Sequence, residues 1–416
     1  MANTIITPTM IAREALIQLE NNLVMGNNVH REYKKEFVKV GATVNVRKPV
    51  KFDVTDGEVL TKQDVQEANT NITVDQRKHV GWGFVTQDLT LSIEEYSERY
   101  IKPAMISLAN KVDRDLCSLY DDVYNWVGTP GQAVNSFADF ALAPRRLDEG
   151  AVPIDMRRSV LGPADHWAMA GSQTALQFNS GAISTPAYRR GSIGNIANVE
   201  TFMDQNVRTH TTGTFTTGST PLVNGASQNV AYSAVTQATY SQTLITDGWA
   251  NSTAVLTAGD VITLAGANAV NPVPGQTGTG KDDLGRLQQF VVLEAATSDG
   301  SGNATIRISP PIITSGPYQT VTAAPANNAV ITPLGTEATG YTQNMAFHRN
   351  AFALVTVPLE MPDGVSFKAR ETHKGLSMRV VKAYDIVNDD DIIRLDILYG
   401  VKTLYNDLAT RLSGTA

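Results

Sequence analysis

A single cysteine, Cys117, stands in 416 residues. One thiol excludes an intramolecular disulfide framework and every multi-cysteine metal site, so stability rests on packing or on partners. The six histidines, His30, His79, His166, His210, His348 and His373, are scattered, and no two lie three or four residues apart. Zinc has no signature here. Basic charge is also short: 34 Lys and Arg against 41 Asp and Glu leave a formal net charge of −7. A grip on nucleic acid or an anionic membrane needs a basic face, and the overall balance argues against one. No apolar run approaches the roughly 20 residues that span a bilayer. The opening MANTIITPTM has no charged-then-apolar leader. The expectation is a soluble protein made inside the cell, without a membrane partner.

Charge is scarcest in one block. Residues 222–343 hold three basic side chains (Lys281, Arg286, Arg307) and seven acidic ones, whereas the rest of the chain holds 31 and 34. Charge density drops there from roughly a fifth to under a tenth. The block is rich in Thr, Ala, Gly and Val, and ordinary charged sequence resumes beyond it. An inserted β-rich domain is the simplest account, with strand signals at 229–245, 255–264, 290–295 and 304–308 separated by Gly, Asn, Asp and Pro turns.

The flanking sequence has stronger periodicity. Residues 9–24 place apolar side chains at helical spacing, predicting a short amphipathic helix that docks on its own body or on a neighbour. From 43 to 54 Val44, Val46, Val50, Phe52 and Val54 alternate with polar residues, answered by Ile72, Val74, Val80, Trp82 and Phe84. That pattern predicts a long hairpin with an acidic tip over 55–68, either folded on its own domain or laid across another subunit. Residues 92–126 carry the longest helical stripe. Ser92 is a candidate cap, Glu94 and Glu95 favour the first turn, and Pro103 should kink or split the helix. At 1.5 Å per residue it would run on the order of 50 Å and serve as a spine. Signals over 128–207 are mixed, 209–221 reads as a Thr/Gly linker or strand, and strands are expected within 345–361 and at 392–401, the latter ending the fold.

No motif carries convincing chemistry. Gly275 to Lys281 resembles a phosphate-binding loop, but Asp282 stands where a Ser or Thr must bind magnesium and prolines replace the preceding strand. A surface loop is the better reading, and Lys281, Asp282, Asp283 and Arg286 are candidates for pairing across an interface. Asp389, Asp390 and Asp391 lack the spacing of a calcium loop and read as a solvated turn. Cys117, on the spine's apolar side without a helper histidine, reads as an inert buried thiol. No cofactor, metal or catalytic residue is expected.

The order of these elements resembles a known family. Leu108-Ala109-Asn110-Lys111-Val112-Asp113 on the spine, the segment Phe347 to Leu354 and the closing Leu398-Tyr399-Gly400-Val401 are similar to the major capsid proteins of tailed bacteriophages. The branch is the one with an inserted domain, typified by the coat protein of a Salmonella short-tailed phage. The resemblance implies an α+β, Hong Kong-type capsid fold. Its parts would be an N-terminal arm (1–35), extended hairpin loop with peripheral strands (36–91), spine helix of the peripheral domain (92–126), axial domain and hinge strands (127–221), inserted β-barrel-like domain (222–343) and return strands (344–416).

The same resemblance implies a non-enzymatic subunit that builds an icosahedral shell of hexamers and pentamers around double-stranded DNA. The shell would be a virion capsid made in the bacterial cytoplasm. Implied partners are other copies of the chain, scaffolding and portal proteins, a decoration protein, and DNA touched without sequence specificity. Hairpin-tip residues Glu58, Lys62, Asp64 and Glu67 are expected at inter-subunit contacts, and Glu14 and Glu20 on the arm are candidates for binding a basic scaffold segment. An alternative is a glycan-binding phage tail or surface protein, which would need the block's few aromatics, Tyr232, Tyr240, Trp249, Phe290, Tyr318 and Tyr341, to cluster in a groove.

Overall fold

The computed structural model describes residues 8–31, 43–52, 58, 60, 62, 65, 67, 69–85, 97–176, 193–215, 219–228, 230, 239–273, 281–365, 367–385 and 390–416. The chain is α+β and divides into two compact units. One comprises residues 1–45, 71–117 and 352–403; the other comprises 46–70, 118–351 and 404–416.

The first unit is a sheet with helices on one face. Its strands run in the order Phe352–Thr356, Asp390–Thr403, Leu376–Asp385, Phe367–His373, and Gln76–Val85 shares the Asp390–Thr403 strand with Phe352–Thr356. Ile393, Leu395, Ile397 and Tyr399 alternate into the core at 0–3% exposure, the period-two signature of a sheet covered on that face. The helix Pro8–Asn22 buries Ile11, Ala12, Ala15, Leu16 and Leu19 in this unit, so the arm helix docks on its own body. The main helix, Lys102–Cys117, packs its stripe of Met105, Leu108, Val112 and Leu116 inward.

Two expectations change here. The spine is not one α-helix over 92–126: the π-helical turn Ser97–Ile101 leads into Lys102–Cys117, a 3₁₀ turn Ser118–Asp122 follows, and Trp126–Val127 is a strand. The helical stretch changes type between Ile101 and Lys102, immediately before Pro103, where the missing N–H leaves the α-helical hydrogen-bond ladder without a donor. Ser92, Glu94 and Glu95 lie outside the described residues. The hairpin is also shorter than its alternation implied. Thr43–Arg47 pairs Asn69–Thr73, but Gln76–Val85 leaves that ribbon and pairs residue for residue with Asp390 to Tyr399. Alternation marks a half-buried strand without naming its partner, and a fourteen-residue strand offers far more ladder than a five-residue one.

The second unit holds two six-stranded sheets. One lies within the charge-poor block and is antiparallel, in the order Ile331–Pro333, Val261–Val270, Asp283–Val292, Ala304–Ser309, Gln242–Asp247, Leu222–Val223. Its ends meet: Leu222 bridges Val330, and Val223 exchanges N–H···O bonds of 2.9 Å with Ala329 and Asn328. The sheet thus closes into a barrel, which removes the exposed edges of an open sheet. Inside sit Leu244, Ile262, Leu264, Phe290, Ile306 and Ile308 at no more than 1% exposure. Each such side chain contributes about 1.5–3 kcal/mol by burial. The expected 255–264 strand is two, Ala254–Leu256 and Val261–Val270, broken by a turn with Gly259 at φ +95°.

The other sheet runs Trp126–Val127, Ala409–Leu412, Asn344–His348, Arg157–Leu161, Val199–Met203, Asn195–Ile196. The helices Phe137–Glu149 and Pro163–Leu176 bury Phe140, Ala143, Met169 and Ala170 in its core. Ser136 caps the first of them, accepting the Asp139 N–H at 3.1 Å. Ala409–Leu412 corrects the expectation that 392–401 ends the fold. This last strand lies between Asn344–Phe347 and Trp126–Val127, and all four of its residues are buried.

Candidate assembly surfaces

The described residues of the hairpin tip present their side chains to solvent. Glu58, Lys62 and Glu67 are exposed, Leu60 and Val65 keep 84% and 62% of their surface, and Asp64 lies outside the described residues. Glu67 pairs with Arg47 at 3.4 Å, both well exposed, a contact worth under about 1 kcal/mol. At the base of the ribbon the Lys51 N–H donates to the Tyr318 hydroxyl at 3.1 Å, and Lys48 Nζ lies 5.2 Å from the centre of the Tyr240 ring.

The cluster at 281–286 divides. Lys281 is buried, its Nζ donating to the Pro317 and Gln319 carbonyls at 2.8 and 3.3 Å. That geometry ties down a loop and offers nothing to a phosphate; residues 275–280 lie outside the described residues. Arg286 donates to Glu149 at 3.1 Å. Asp283 accepts from Asn268 and from the Gly285 N–H, which hold its carboxyl below the usual range. Asp282 is exposed. On the arm, Glu14 accepts from Gln18 at 3.0 Å, and Glu20 pairs with Lys374 at 2.7 Å and His373 at 3.4 Å.

The second unit also has a cleft of about 660 Å³ lined in part by Tyr124, Arg146, Glu149, Tyr240 and Asp407. Within it Tyr124 and Tyr240 both donate to Asp407 Oδ1, at 2.7 and 2.6 Å, and Arg146 and Arg286 share Glu149. Burial and Arg286 lower the Arg146 guanidinium to about 10.

One constellation imitates catalytic machinery. Tyr120 Oη lies 3.1 Å from His210 Nδ1, and His210 Nε2 lies 2.8 Å from Asp260 Oδ1. Asp260 Oδ2 accepts from the Gly213 and Thr257 N–H groups, which fixes its position. Beside this line runs Arg411, fully buried, donating to the Gly259 carbonyl at 2.7 Å and to Gln343 at 3.3 Å. Its guanidinium centre lies 5.1 and 5.5 Å from the Tyr120 and Trp126 rings, and burial lowers its pKa to about 10. Asp121 is pushed up by burial against the pull of Tyr120 and Arg411. Tyr120, His210, Asp260 and Arg411 are all at most 7% exposed, so no substrate reaches them. The network pins the barrel's Gly259 turn to the last strand. Its residues are scattered through the sequence, and no local spacing could have announced them.

The aromatics needed for a glycan groove are mostly interior. Trp249, Phe290 and Tyr341 are 3%, 0% and 6% exposed, and Tyr232 lies outside the described residues. Among the described residues no group of His, Cys, Asp and Glu could hold a metal, and no helix is long and apolar enough to cross a membrane.

The buried polar groups of the Arg411 network tie strands and turns together, while the ribbon keeps Leu60 and Val65 open to solvent. Residues 1–411 match the family described as P22 coat protein, gene protein 5, and the chain belongs to that family. It is a structural coat protein of a tailed phage, assembling with itself into the shell of the virion. No curated protein matches the chain. Among solved structures it is similar to a chain of Mycobacterium phage Che8 at 15% identity and TM-score 0.48, covering 94% of this chain and 90% of that one. The capsid of cyanophage P-SCSP1u matches at 11% identity and TM-score 0.43, covering 91% and 86%. The mature capsid of bacteriophage PhiM1 matches at 12% and 0.40, covering 94% and 86%.

Proposed function

We propose that this coat protein builds an icosahedral shell of hexamers and pentamers that encloses double-stranded DNA, starting from assembly on a scaffolding protein around a portal. Residues 1–35 act as the arm, 36–91 as the extended loop reaching a neighbour, 92–126 as the spine, 127–221 with 344–416 as axial domain and return strands, and 222–343 as the inserted domain. The observation that carries the reading is the family match over 1–411. Supporting it, Leu60 and Val65 beyond the paired ribbon keep 84% and 62% of their surface open, and isolated two-stranded ribbons are marginal. Glu58, Lys62, Asp64 and Glu67 then meet another subunit.

Asp282 is the freest of the second cluster to do the same, while Lys281, Asp283 and Arg286 would have to exchange partners they already hold. A scaffold segment basic enough to bind Glu14 and Glu20 would likewise compete with Lys374 and His373. Electron microscopy of the purified protein, alone and with its scaffold, tests the reading. Closed shells are expected; a small oligomer that never closes under either condition refutes it.

A further inference from the structure

Shell contacts leave the second unit's cleft of about 660 Å³ unexplained. Its volume falls within the roughly 300–1,000 Å³ of sites that enclose a small organic molecule. The charge along its wall is unbalanced. Glu149, the last residue of the helix Phe137–Glu149, is the carboxylate partner of three guanidiniums: Arg145 at 3.0 Å, Arg286 at 3.1 Å and Arg146 at 3.7 Å. Arg145 is 75% exposed, and water screens its charge. Arg146 and Arg286 keep only 15% and 25% of their side-chain surface and line the cleft with Glu149. One carboxylate there faces two enclosed cations.

Their hydrogen bonds are unbalanced as well. Arg286 Nε donates to Glu149, but its Nη1 is buried with no hydrogen-bond partner among the described residues. A buried charged donor without an acceptor is costly, and in a folded protein it marks the place of a water, an ion or a ligand. Arg146 Nη1 reaches Gln289 Oε1 at 3.4 Å, an oxygen that already accepts the Trp126 N–H at 2.8 Å. The cleft's other carboxylate, Asp407, is engaged by the hydroxyls of Tyr124 and Tyr240. Two carboxylates in the wall keep the cationic surplus small, which favours a singly charged anion over a doubly charged one. The remaining wall includes Phe52, Tyr240, Tyr318, Pro272, Pro310 and Pro317, flat rings suited to a flat apolar body.

We propose that this cleft binds a monocarboxylate carried on a flat apolar body, its carboxylate against Arg286 and Arg146 and its body against Phe52, Tyr240 and Tyr318. The planar guanidinium fork matches a carboxylate in shape and charge, and an oxygen brought to Arg286 supplies the acceptor that its buried donor lacks. Such a ligand ties the helix Phe137–Glu149 to the strand Asp283–Val292, so it stabilises the second unit by mass action. The site does not depend on how the shell is built. Its ligand comes either as a free aromatic acid or as an acidic side chain beside aromatic residues in a peptide.

Calorimetric titration of the unassembled full chain tests this, with 2-naphthoate as the free acid and acetyl-Phe-Asp-Phe-amide as the peptide. At least one probe is expected to bind with a Kd at or below about 1 mM, and the tighter of the two names the source. The neutral isostere 2-naphthylmethanol should bind about tenfold or more weakly than 2-naphthoate, and Arg286→Gln should weaken binding of the acidic probe by a similar factor. Glu149→Gln removes the competing carboxylate and should strengthen that binding about threefold or more, which keeps the test open should Arg286→Gln fail to fold. Binding of neither probe overturns the proposal, as does equal affinity for the neutral isostere. Tighter binding of 2-naphthyl phosphate than of 2-naphthoate overturns it too, since the site would then select a dianion. Unchanged or weaker binding in Glu149→Gln likewise counts against the site.

Discussion

Replacing Asp113 with alanine isolates what holds the arm to the first unit. Asp113 is 1% exposed in the middle of the Lys102–Cys117 helix. Its Oδ2 accepts the Val24 N–H at 2.6 Å and its Oδ1 accepts the Gly26 N–H at 2.8 Å, at the chain's turn into the short helix Met25–Asn28. A hydrogen bond to a charged acceptor contributes about 1.5–3 kcal/mol, and a buried donor left without a partner costs about 1–3. Asp113→Ala should therefore weaken arm docking by about 3–5 kcal/mol, a large share of the roughly 5–15 kcal/mol that holds a typical domain. Hydrogen exchange of unassembled protein reads this directly. Since about 1.4 kcal/mol is a factor of ten, amides at Val24 and Gly26 should exchange on the order of a hundred- to a thousandfold faster. Asp113→Asn keeps one acceptor oxygen and should lose about half as much. If those amides accelerate less than tenfold in Asp113→Ala, the carboxylate is not the anchor and the packing of Ile11, Leu16 and Leu19 suffices.

Three further outcomes follow from the same geometry. Arg411→Ala removes the cation between Tyr120 and Trp126 and leaves Asp121 and Asp260 without it, so the chemical-denaturation midpoint of the second unit should fall by the equivalent of about 3–5 kcal/mol; a change under 1 kcal/mol would show the network to be idle. Burial pushes the Asp396 carboxyl up, but hydrogen bonds from Arg379 and Arg394 outweigh it and hold the group below its usual value. A carboxyl depressed in the folded state stabilises it above its unfolded pKa of about 3.9, and that stabilisation is lost as pH falls through the lower folded value. Acid titration of the first unit should accordingly steepen below about pH 4 in the wild type and lose that limb in Asp396→Asn. Lys281→Ala should lower stability by about 1–2 kcal/mol through its two lost carbonyl bonds while ATP affinity stays unmeasurable in both proteins; a micromolar affinity abolished by the substitution would reinstate the phosphate loop.

The sequence made periodic features legible and partnerships illegible. The stripe on Lys102–Cys117, the arm helix and the charge-poor β block were all written in local spacing, and the structure contains each. What local spacing could not carry was which strand pairs with which. Val80, Trp82 and Phe84 continued the alternation of the hairpin without a break, yet their ladder lies with residues 391–395, more than three hundred positions away. The strand Ala409–Leu412 was missed because it is short and includes Arg411, a residue that rarely goes inside; its guanidinium is tolerated there only because Gly259, Gln343 and two aromatic rings receive it. Lys281 was expected to offer its charge to an interface, and the fold instead spends it on the carbonyls of Pro317 and Gln319, contacts that no local spacing announces. The face carrying Arg77, Arg379 and Arg394 was invisible for the same cause: its cations come from three strands, and their sum appears only after pairing.

Charge placement explains why such a chain can be both nearly charge-free in one domain and specific in assembly. The barrel closes on itself through Val223, Asn328 and Ala329, so among the described residues its six-stranded sheet has no free end strand for charge to guard against unwanted pairing. The first unit is the opposite case. Its sheet carries Gly81 and Gly83 on Gln76–Val85 and three arginines held by one buried carboxylate, Asp396, so charge there selects against another basic face.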